Sequence, residues 1–83
     1  GVAASRRAEV WRDEVALWED TVRRSPRLYT PRLNLGFAYD VRGRYDEAER
    51  QYLEAARIRP TPEAIQNLVM VRAKRAMTSG RPR

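Results

Sequence analysis

Residues 32–60 read RLNLGFAYDVRGRYDEAERQYLEAARIRP, and they carry the clearest structural pattern in the chain. Leu35, Gly36 and Tyr39 fall at i, i+1 and i+4, the spacing of one side of a helix. A glycine inside a helix costs about 1 kcal/mol relative to alanine, so Gly36 indicates a point where a second helix comes close. Gly43 predicts the end of this helix, because glycine readily adopts the left-handed conformation that closes one.

A second helical stripe follows at Ala48, Tyr52 and Ala55. Ala48 is the expected small counterpart of Gly36 on this helix, and Tyr52 is expected to fill the space around their contact. Pro60 ends the helix, because proline cannot continue one. The stretch therefore predicts two helices packed closely as a hairpin.

The hairpin sequence resembles the tetratricopeptide repeat, whose pattern is W-x2-L-G-x2-Y, then A-x3-F, then P, over about 34 residues. The positions that match this pattern or replace it conservatively are Leu35, Gly36, Tyr39, Ala48, Tyr52 and Pro60. The opening Trp is missing, and Arg32 stands in its place. The resemblance implies an all-α fold of antiparallel helix-turn-helix repeats that serve as binding scaffolds. It does not name a partner, because one fold hosts many functions.

The same spacing extends upstream of the hairpin. Trp18 stands 34 residues before Tyr52, which predicts that 6–25 is the second helix of a preceding repeat. Trp11, Val15, Trp18 and Val22 share one face of that helix. We expect this face to pack against the first helix of the complete repeat.

The spacing also extends downstream, where Asn67 follows Asn34 by 33 residues. Pro62 fits the first turn of a further helix, where its missing N–H does no harm. The sequence thus predicts a complete repeat over 29–62, half repeats on either side and a flexible basic tail over 78–83. The expected helices are 6–25, 30–42, 45–58 and 62–77, in B-A-B-A order.

The composition excludes several kinds of chemistry. The 83 residues include no Cys and no His, which removes disulfides, thiol chemistry and the commonest metal ligand and general base. We therefore expect no catalytic residue, no metal site and no cofactor, and we do not expect an enzyme. No apolar run approaches the roughly 20 residues that span a bilayer, so this segment is not expected to insert into a membrane.

The net charge of +6 comes almost entirely from arginine. Acids lie one helical turn from several arginines, a pattern typical of solvated faces: Glu19 with Arg23, Asp20 with Arg24 and Asp46 with Arg50. The positive charges without such a neighbour are Arg6, Arg7, Arg72, Lys74, Arg75, Arg81 and Arg83. An RNP motif, zinc-ligand spacing and an aromatic stacking platform are all absent from the sequence, so a specific nucleic-acid partner is not expected.

The candidate ligand site follows from the family resemblance, which implies that the first helix of each repeat lines a concave face. The candidate peptide-binding residues on this face are Asn34, Phe37, Val41, Asn67, Met70 and Lys74. In long superhelical members, asparagines at the place of Asn34 and Asn67 form a ladder that holds a peptide backbone. Two alternatives stay open: the asparagines bond neighbouring carbonyls instead, and Phe37 and Met70 belong to the core between repeats.

The resemblance does not extend to members that clamp the C-terminal carboxylate of chaperones. Those members use Lys, Asn and Arg on successive first helices. Leu33 and Phe37 occupy the corresponding places near Asn34, and only Lys74 remains as a candidate.

A second resemblance covers about twenty residues. The stretch from Arg7 to Glu14, followed by Leu17-Trp18 and Ser25-Pro26, resembles the segment after the last membrane helix of bacterial polytopic proteins of the lipid-linked-sugar glycosyltransferase type. It implies the soluble tail of a membrane protein on the extracytoplasmic side; otherwise the domain is cytoplasmic. The excess of arginine over lysine favours a GC-rich bacterial genome.

Two functional hypotheses follow from these patterns. The first is a non-catalytic scaffold that binds a protein or extended peptide on the concave face. The second is a self-association module, in which the exposed end helices stack on a copy of the same chain. A third, catalysis, is not expected, because the acidic residues are scattered in helix-stabilising positions.

Overall fold

The computed structural model describes residues 14–79, and this part of the chain is all-α. Its helices are α1 (14–24), α2 (Tyr29–Val41), α3 (Tyr45–Ile58) and α4 (Pro62–Ser79). The prediction of four helices in an all-α fold is confirmed, and α2 and α3 agree with their predicted bounds to within one residue. Across residues 14–79, every helix is too short or too polar to span a bilayer.

The predicted start of the basic tail is wrong. Thr78 and Ser79 belong to α4, and the Thr78 hydroxyl donates a hydrogen bond to the Lys74 carbonyl oxygen at 2.9 Å. Residues 1–13 and 80–83 lie outside the described part of the chain. The first part of the predicted helix 6–25, most of the second resemblance, Trp11 and the remainder of the tail fall there.

The apolar face of α1 lies in the core, as predicted. Val15 and Val22 are each 8% exposed, and Trp18 between them packs against the same cluster. Leu35 and Ala38 of α2 belong to that cluster as well. The 7-residue spacing of the two valines is the helical period that the sequence displays.

Gly36 marks the closest approach of α2 to α3. A Cβ added at Gly36 would lie 2.7 Å from Cδ1 and Cε1 of Tyr52 and 3.3 Å from Cβ of Gln51. The predicted counterpart, Ala48, is fully buried in the same core, but the residue that meets Gly36 is Tyr52. The ring of Tyr52 lies against the glycine backbone and fills the space that a side chain at position 36 would need.

Arg32 joins the loop before α2 to α3. Its Nε donates to the carbonyl oxygen of Pro26 at 3.1 Å, and its Nη1 donates to Oε1 of Gln51 at 2.9 Å. A charged side chain with several donors thus connects the elements around the place where the repeat pattern has a tryptophan.

The α2–α3 turn has the conformation that the sequence predicts. Gly43 adopts φ of 81°, the left-handed region that glycine enters at little cost. Its N–H donates to the carbonyl of Asp40 at 3.0 Å, and the Arg44 N–H donates to the carbonyl of Tyr39 at 3.0 Å. These two bonds form a Schellman motif, which satisfies carbonyl groups at the helix end.

The start of α4 is fixed by Thr61. The Thr61 hydroxyl oxygen accepts a hydrogen bond from the Ala64 N–H at 3.1 Å, which is the capping interaction that satisfies a free donor of the first turn. Pro60 precedes this cap and lies beyond the end of α3, as predicted. Pro62 is the first residue of α4, where proline is well tolerated.

The buried positions of α4 repeat those of α2. Ala64, Leu68 and Val71 are buried on α4, and the residues 33 positions earlier, Pro31, Leu35 and Ala38, are buried on α2. Leu35 and Leu68 are the central members of the two sets. The structure therefore shows a repeat-like relation between the two helices, which share these three buried register positions.

Tyr39 connects α2 to α1. Its hydroxyl donates a short hydrogen bond to the Glu19 carboxylate, so Glu19 bonds across helices, and its predicted pairing with Arg23 is wrong. Burial raises the pKa of Tyr39 to about 12, and the hydrogen bond to Glu19 and the charges of Glu19 and Glu47 act in the same direction, while Arg44 opposes them.

Ionisation of Tyr39 is expected to destabilise the fold at high pH. Tyrosine in an unfolded chain ionises near pH 10, so the folded state holds its proton more tightly, and this stabilisation is lost as the pH rises from about 10 toward 12. We expect the midpoint of urea unfolding to fall over this interval and to fall less in Tyr39→Phe. An equal fall in both proteins would contradict the assignment.

Candidate functional site

α2 and α4 lie side by side, joined near both ends. At the start of both helices, the Tyr29 hydroxyl lies 2.7 Å from the Thr61 hydroxyl. Further along, Lys74 Nζ donates to Oδ1 of Asp40 at 2.9 Å. Because each helix forms a hairpin with α3, α2 and α4 run in the same direction.

The candidate residues occupy the solvent-facing sides of these two helices. We define the α2–α4 face by Asn34, Phe37, Val41, Asn67 and Met70. These residues are exposed or half-buried, and each lies on its helix away from the buried stripe that contains Leu35 or Leu68. The sequence therefore placed these five side chains on the open sides of two neighbouring helices.

The α2–α4 face contains three exposed apolar side chains. Phe37 is 57% exposed, Met70 49% and Val41 46%. The alternative in which Phe37 and Met70 belong to the core between repeats is therefore wrong. Single exposed apolar side chains are ordinary on a protein surface, and three of them on these two helices make the face a candidate site.

The α2–α4 face also contains two asparagines. Asn34 and Asn67 are half-buried, and each directly precedes a buried leucine in its helix. Within the described residues, neither side-chain amide hydrogen-bonds to another group. The alternative in which they bond neighbouring carbonyls is therefore wrong, and each amide presents two donors and one acceptor to the surface.

Lys74, the sixth candidate residue, is already paired. Besides its bond to Asp40, its ammonium group lies 5.9 Å from the centre of the Tyr45 ring, within the range of a cation–π interaction. Asp40 Oδ2 also accepts a hydrogen bond from the Tyr52 hydroxyl at 3.0 Å. A ligand carboxylate at Lys74 would have to displace Asp40, so the arrangement favours a neutral ligand on this face.

Sequence reasoning did not predict a role for Asp40. Its side chain is only 12% exposed, and it accepts bonds from both Tyr52 and Lys74. The signal in the sequence was its separation of 34 residues from Lys74, which is one repeat length.

The charges of α4 that lacked an acidic neighbour in sequence have partners in space. Arg72 Nε lies 2.7 Å from Oε2 of Glu49, and Arg75 Nη1 lies 2.7 Å from Oε1 of the same residue. Arg75 also lies 3.4 Å from Asp46, so the predicted Asp46–Arg50 pair is wrong. The predicted Asp20–Arg24 pair is confirmed at 3.2 Å.

Two surface depressions lie elsewhere on the described part of the chain. One is formed around the α2–α3 turn by residues Gly43, Arg44, Tyr45, Asp46, Glu47, Arg75 and Thr78. Another is formed around the α1–α2 loop by residues Arg27, Leu28, Tyr29, Thr30, Pro31, Ile58 and Arg59. Neither depression is lined by a residue of the α2–α4 face.

No protein-family model and no curated protein sequence matches this chain. Its function is therefore inferred from its own residues and their arrangement.

Proposed function

We propose that this chain is a non-catalytic interaction scaffold of the tetratricopeptide type, which binds an extended peptide segment of a partner protein on its α2–α4 face. The family assignment is supported by the signature residues, by the contact of Gly36 with Tyr52 and by the 33-residue correspondence of buried positions in α2 and α4. Stacked hairpins of this kind create an extended binding surface from successive first helices.

The observation that carries the proposal is the pair of unbonded amides at Asn34 and Asn67. They stand at corresponding positions of two helices that run in the same direction, so they form a row along the face. A peptide backbone repeats donors and acceptors along its length, and each asparagine amide can satisfy one of each. The row therefore holds a backbone without selecting its side chains.

Selectivity would come from the apolar groups beside the amides. The exposed apolar groups are the aromatic ring of Phe37, the branched side chain of Val41 and the thioether of Met70. The flexible Met70 side chain can adapt to partners of different shape. The cation predicted on this face is neutralised by Asp40. The ligand that fits is an uncharged extended segment with at least one apolar side chain.

A peptide-display selection tests this function. The double variant Asn34→Ala with Asn67→Ala should lose the peptides selected by the unchanged domain, with affinity reduced by about tenfold or more, since two hydrogen bonds contribute roughly 1 kcal/mol each. Arg50→Ala, which alters an exposed side chain of α3, is the matched control and should retain them. Peptides that bind both variants equally would show that the asparagines are not the site.

Self-association is the second candidate function. It is favoured by exposed apolar side chains on another side of α4, namely Ile65 and Val69. These residues point to a different surface from the α2–α4 face, and the two functions are compatible.

A further inference from the structure

The α2–α3 hairpin shows which positions of a first helix receive a second helix. On α2, Arg32 bonds Gln51, and Gly36 lies against Tyr52. The residues 33 positions later on α4 are Ile65 and Val69.

Those two α4 positions are uncovered among the described residues. Ile65 is 45% exposed and Val69 59%, whereas Gly36, the counterpart of Val69, is buried. One turn further, Arg72 is exposed as well. We call this surface, defined by Ile65, Val69 and Arg72, the outer face of α4.

The hairpin also shows which positions of α3, the second helix of the repeat, contact α2, the first. On α3 these are Gln51 and Tyr52, and the residues 34 positions earlier on α1 are Leu17 and Trp18. Leu17 is 58% exposed, and Trp18 is half-buried. Together with the exposed Glu14 they define the outer face of α1.

The two outer faces are apolar on the sides that correspond to those by which α2 and α3 meet. Ile65 and Leu17 stand at the places of Arg32 and Gln51, so both apolar side chains lie on the sides that would pair. The Gly36–Tyr52 contact corresponds to Val69 against Trp18, which is an apolar pair. Because Val69 has the side chain that Gly36 lacks, the paired helices would lie further apart than α2 and α3.

Charge is complementary as well. Because the helices of a hairpin are antiparallel, the position one turn after Val69 on α4 lies level with the position one turn before Trp18 on α1. Those positions hold Arg72 and Glu14, which carry opposite charges. Arg72 is 53% exposed in its bond to Glu49, so it remains accessible to a second carboxylate.

We propose that α4 of one copy packs antiparallel to α1 of a second copy, on the sides by which α2 and α3 meet but at a greater separation. The contact joins two different surfaces, so it is head-to-tail, and further copies can add at either end. Ile65, Val69 and Leu17 become covered, and Arg72 meets Glu14. The pairing does not use the α2–α4 face, so the peptide site and this interface can be tested independently of each other.

Single-face variants test the pairing by sedimentation over a range of concentrations. The unchanged chain should form assemblies larger than a dimer as its concentration rises. Leu17→Asp blocks the α1 face and Val69→Asp blocks the α4 face, so each should raise the dissociation constant by about tenfold or more. Both positions are exposed, and circular dichroism checks that the variants stay folded; Ile65→Asp is a second variant on the α4 face.

Mixing the two variants distinguishes a head-to-tail contact from other arrangements. Leu17→Asp retains an intact α4 face and Val69→Asp an intact α1 face, so an equimolar mixture should form a one-to-one dimer that grows no further. Phe37→Asp, a similarly exposed change on the α2–α4 face, should leave assembly intact.

Three results would overturn the proposal. The first is an unchanged chain that remains monomeric at high concentration, which would assign the outer faces to other partners. The second is a mixture that shows no dimer although both variants are folded. The third is assembly that persists in Leu17→Asp and Val69→Asp but is lost in Phe37→Asp.

Discussion

Gly36→Leu is expected to lower the free energy of unfolding by about 3 kcal/mol or more, enough to unfold much of a domain of this size. Even the first carbon of the new side chain would lie 2.7 Å from two ring carbons of Tyr52. The ring cannot move aside easily, because it is fully buried and its hydroxyl bonds Asp40 at 3.0 Å. The helices would have to separate, and the contact between α2 and α3 would be lost.

Gly36→Ala separates the steric effect from helix propensity. Alanine favours the helix by about 1 kcal/mol over glycine, so a net loss of stability requires a clash that exceeds this gain. Removing the ring with Tyr52→Leu should reduce the cost of Gly36→Ala, since the ring atoms that clash are no longer present.

Val69→Leu is the matched control for Gly36→Leu. The corresponding position on α4 is 59% exposed, so Val69→Leu should leave the melting temperature unchanged. An unchanged melting temperature in Gly36→Leu would contradict the arrangement of this hairpin.

Tyr52→Ala is expected to cost about 3 to 5 kcal/mol, the range for removing a large side chain from a core. Tyr52 is fully buried and packs with Leu35, Ala48 and Val71 in the core cluster. It is the residue that meets Gly36, so its loss opens a cavity where α2 and α3 come closest.

Tyr52→Phe is the control that retains the ring. It removes only the hydrogen bond to Asp40, for which about 1 to 2 kcal/mol is expected because the acceptor is charged. Urea unfolding followed by circular dichroism gives both free energies. If Tyr52→Phe costs as much as Tyr52→Ala, the hydroxyl rather than the ring carries the stability, and the packing argument is wrong.

Burial, the charge of Asp40 and the hydrogen bond to it all raise the pKa of Tyr52 above its ordinary value. Tyr52 therefore contributes to the loss of stability at high pH in the same direction as Tyr39. Measuring the free energy of unfolding of Tyr39→Phe and Tyr52→Phe at pH 8 and near pH 11 shows how much of that loss each tyrosine causes.

The helices and their buried sides could be predicted because both depend on local spacing. Leu35, Ala48 and Tyr52 recur at helical intervals, and any helix that folds with one buried side must place them together. Gly43 and Pro60 set the helix ends through backbone conformation, which is also a local property.

The partners across helices could not be predicted, because spacing identifies the side of a helix and not the residue opposite. Gly36 was expected to face Ala48, with Tyr52 around their contact, whereas the atoms nearest to an added Cβ belong to the Tyr52 ring itself. Glu19 was expected to bond Arg23 one turn away, but the Tyr39 hydroxyl approaches from α2. Such contacts depend on how the helices cross, which the stripe alone does not fix.

Only part of the candidate site could be predicted, because spacing identifies the side of a helix and not the distance between helices. The positions of Asn34, Phe37 and Met70 on open helix sides follow from their offset from Leu35 and Leu68. The pairing of Lys74 with Asp40 could not be predicted, because it depends on the distance between α2 and α4.

The most direct test of the peptide-binding function is to map a selected peptide by NMR on the isotopically labelled domain. We expect the side-chain NH2 signals of Asn34 and Asn67, together with the ring signals of Phe37, to shift in proportion to the fraction bound. The signals of Leu17 and Val69, on the outer faces, should stay in place. Shifts confined to Leu17 and Val69, with the two asparagines unmoved, would contradict a peptide site on the α2–α4 face.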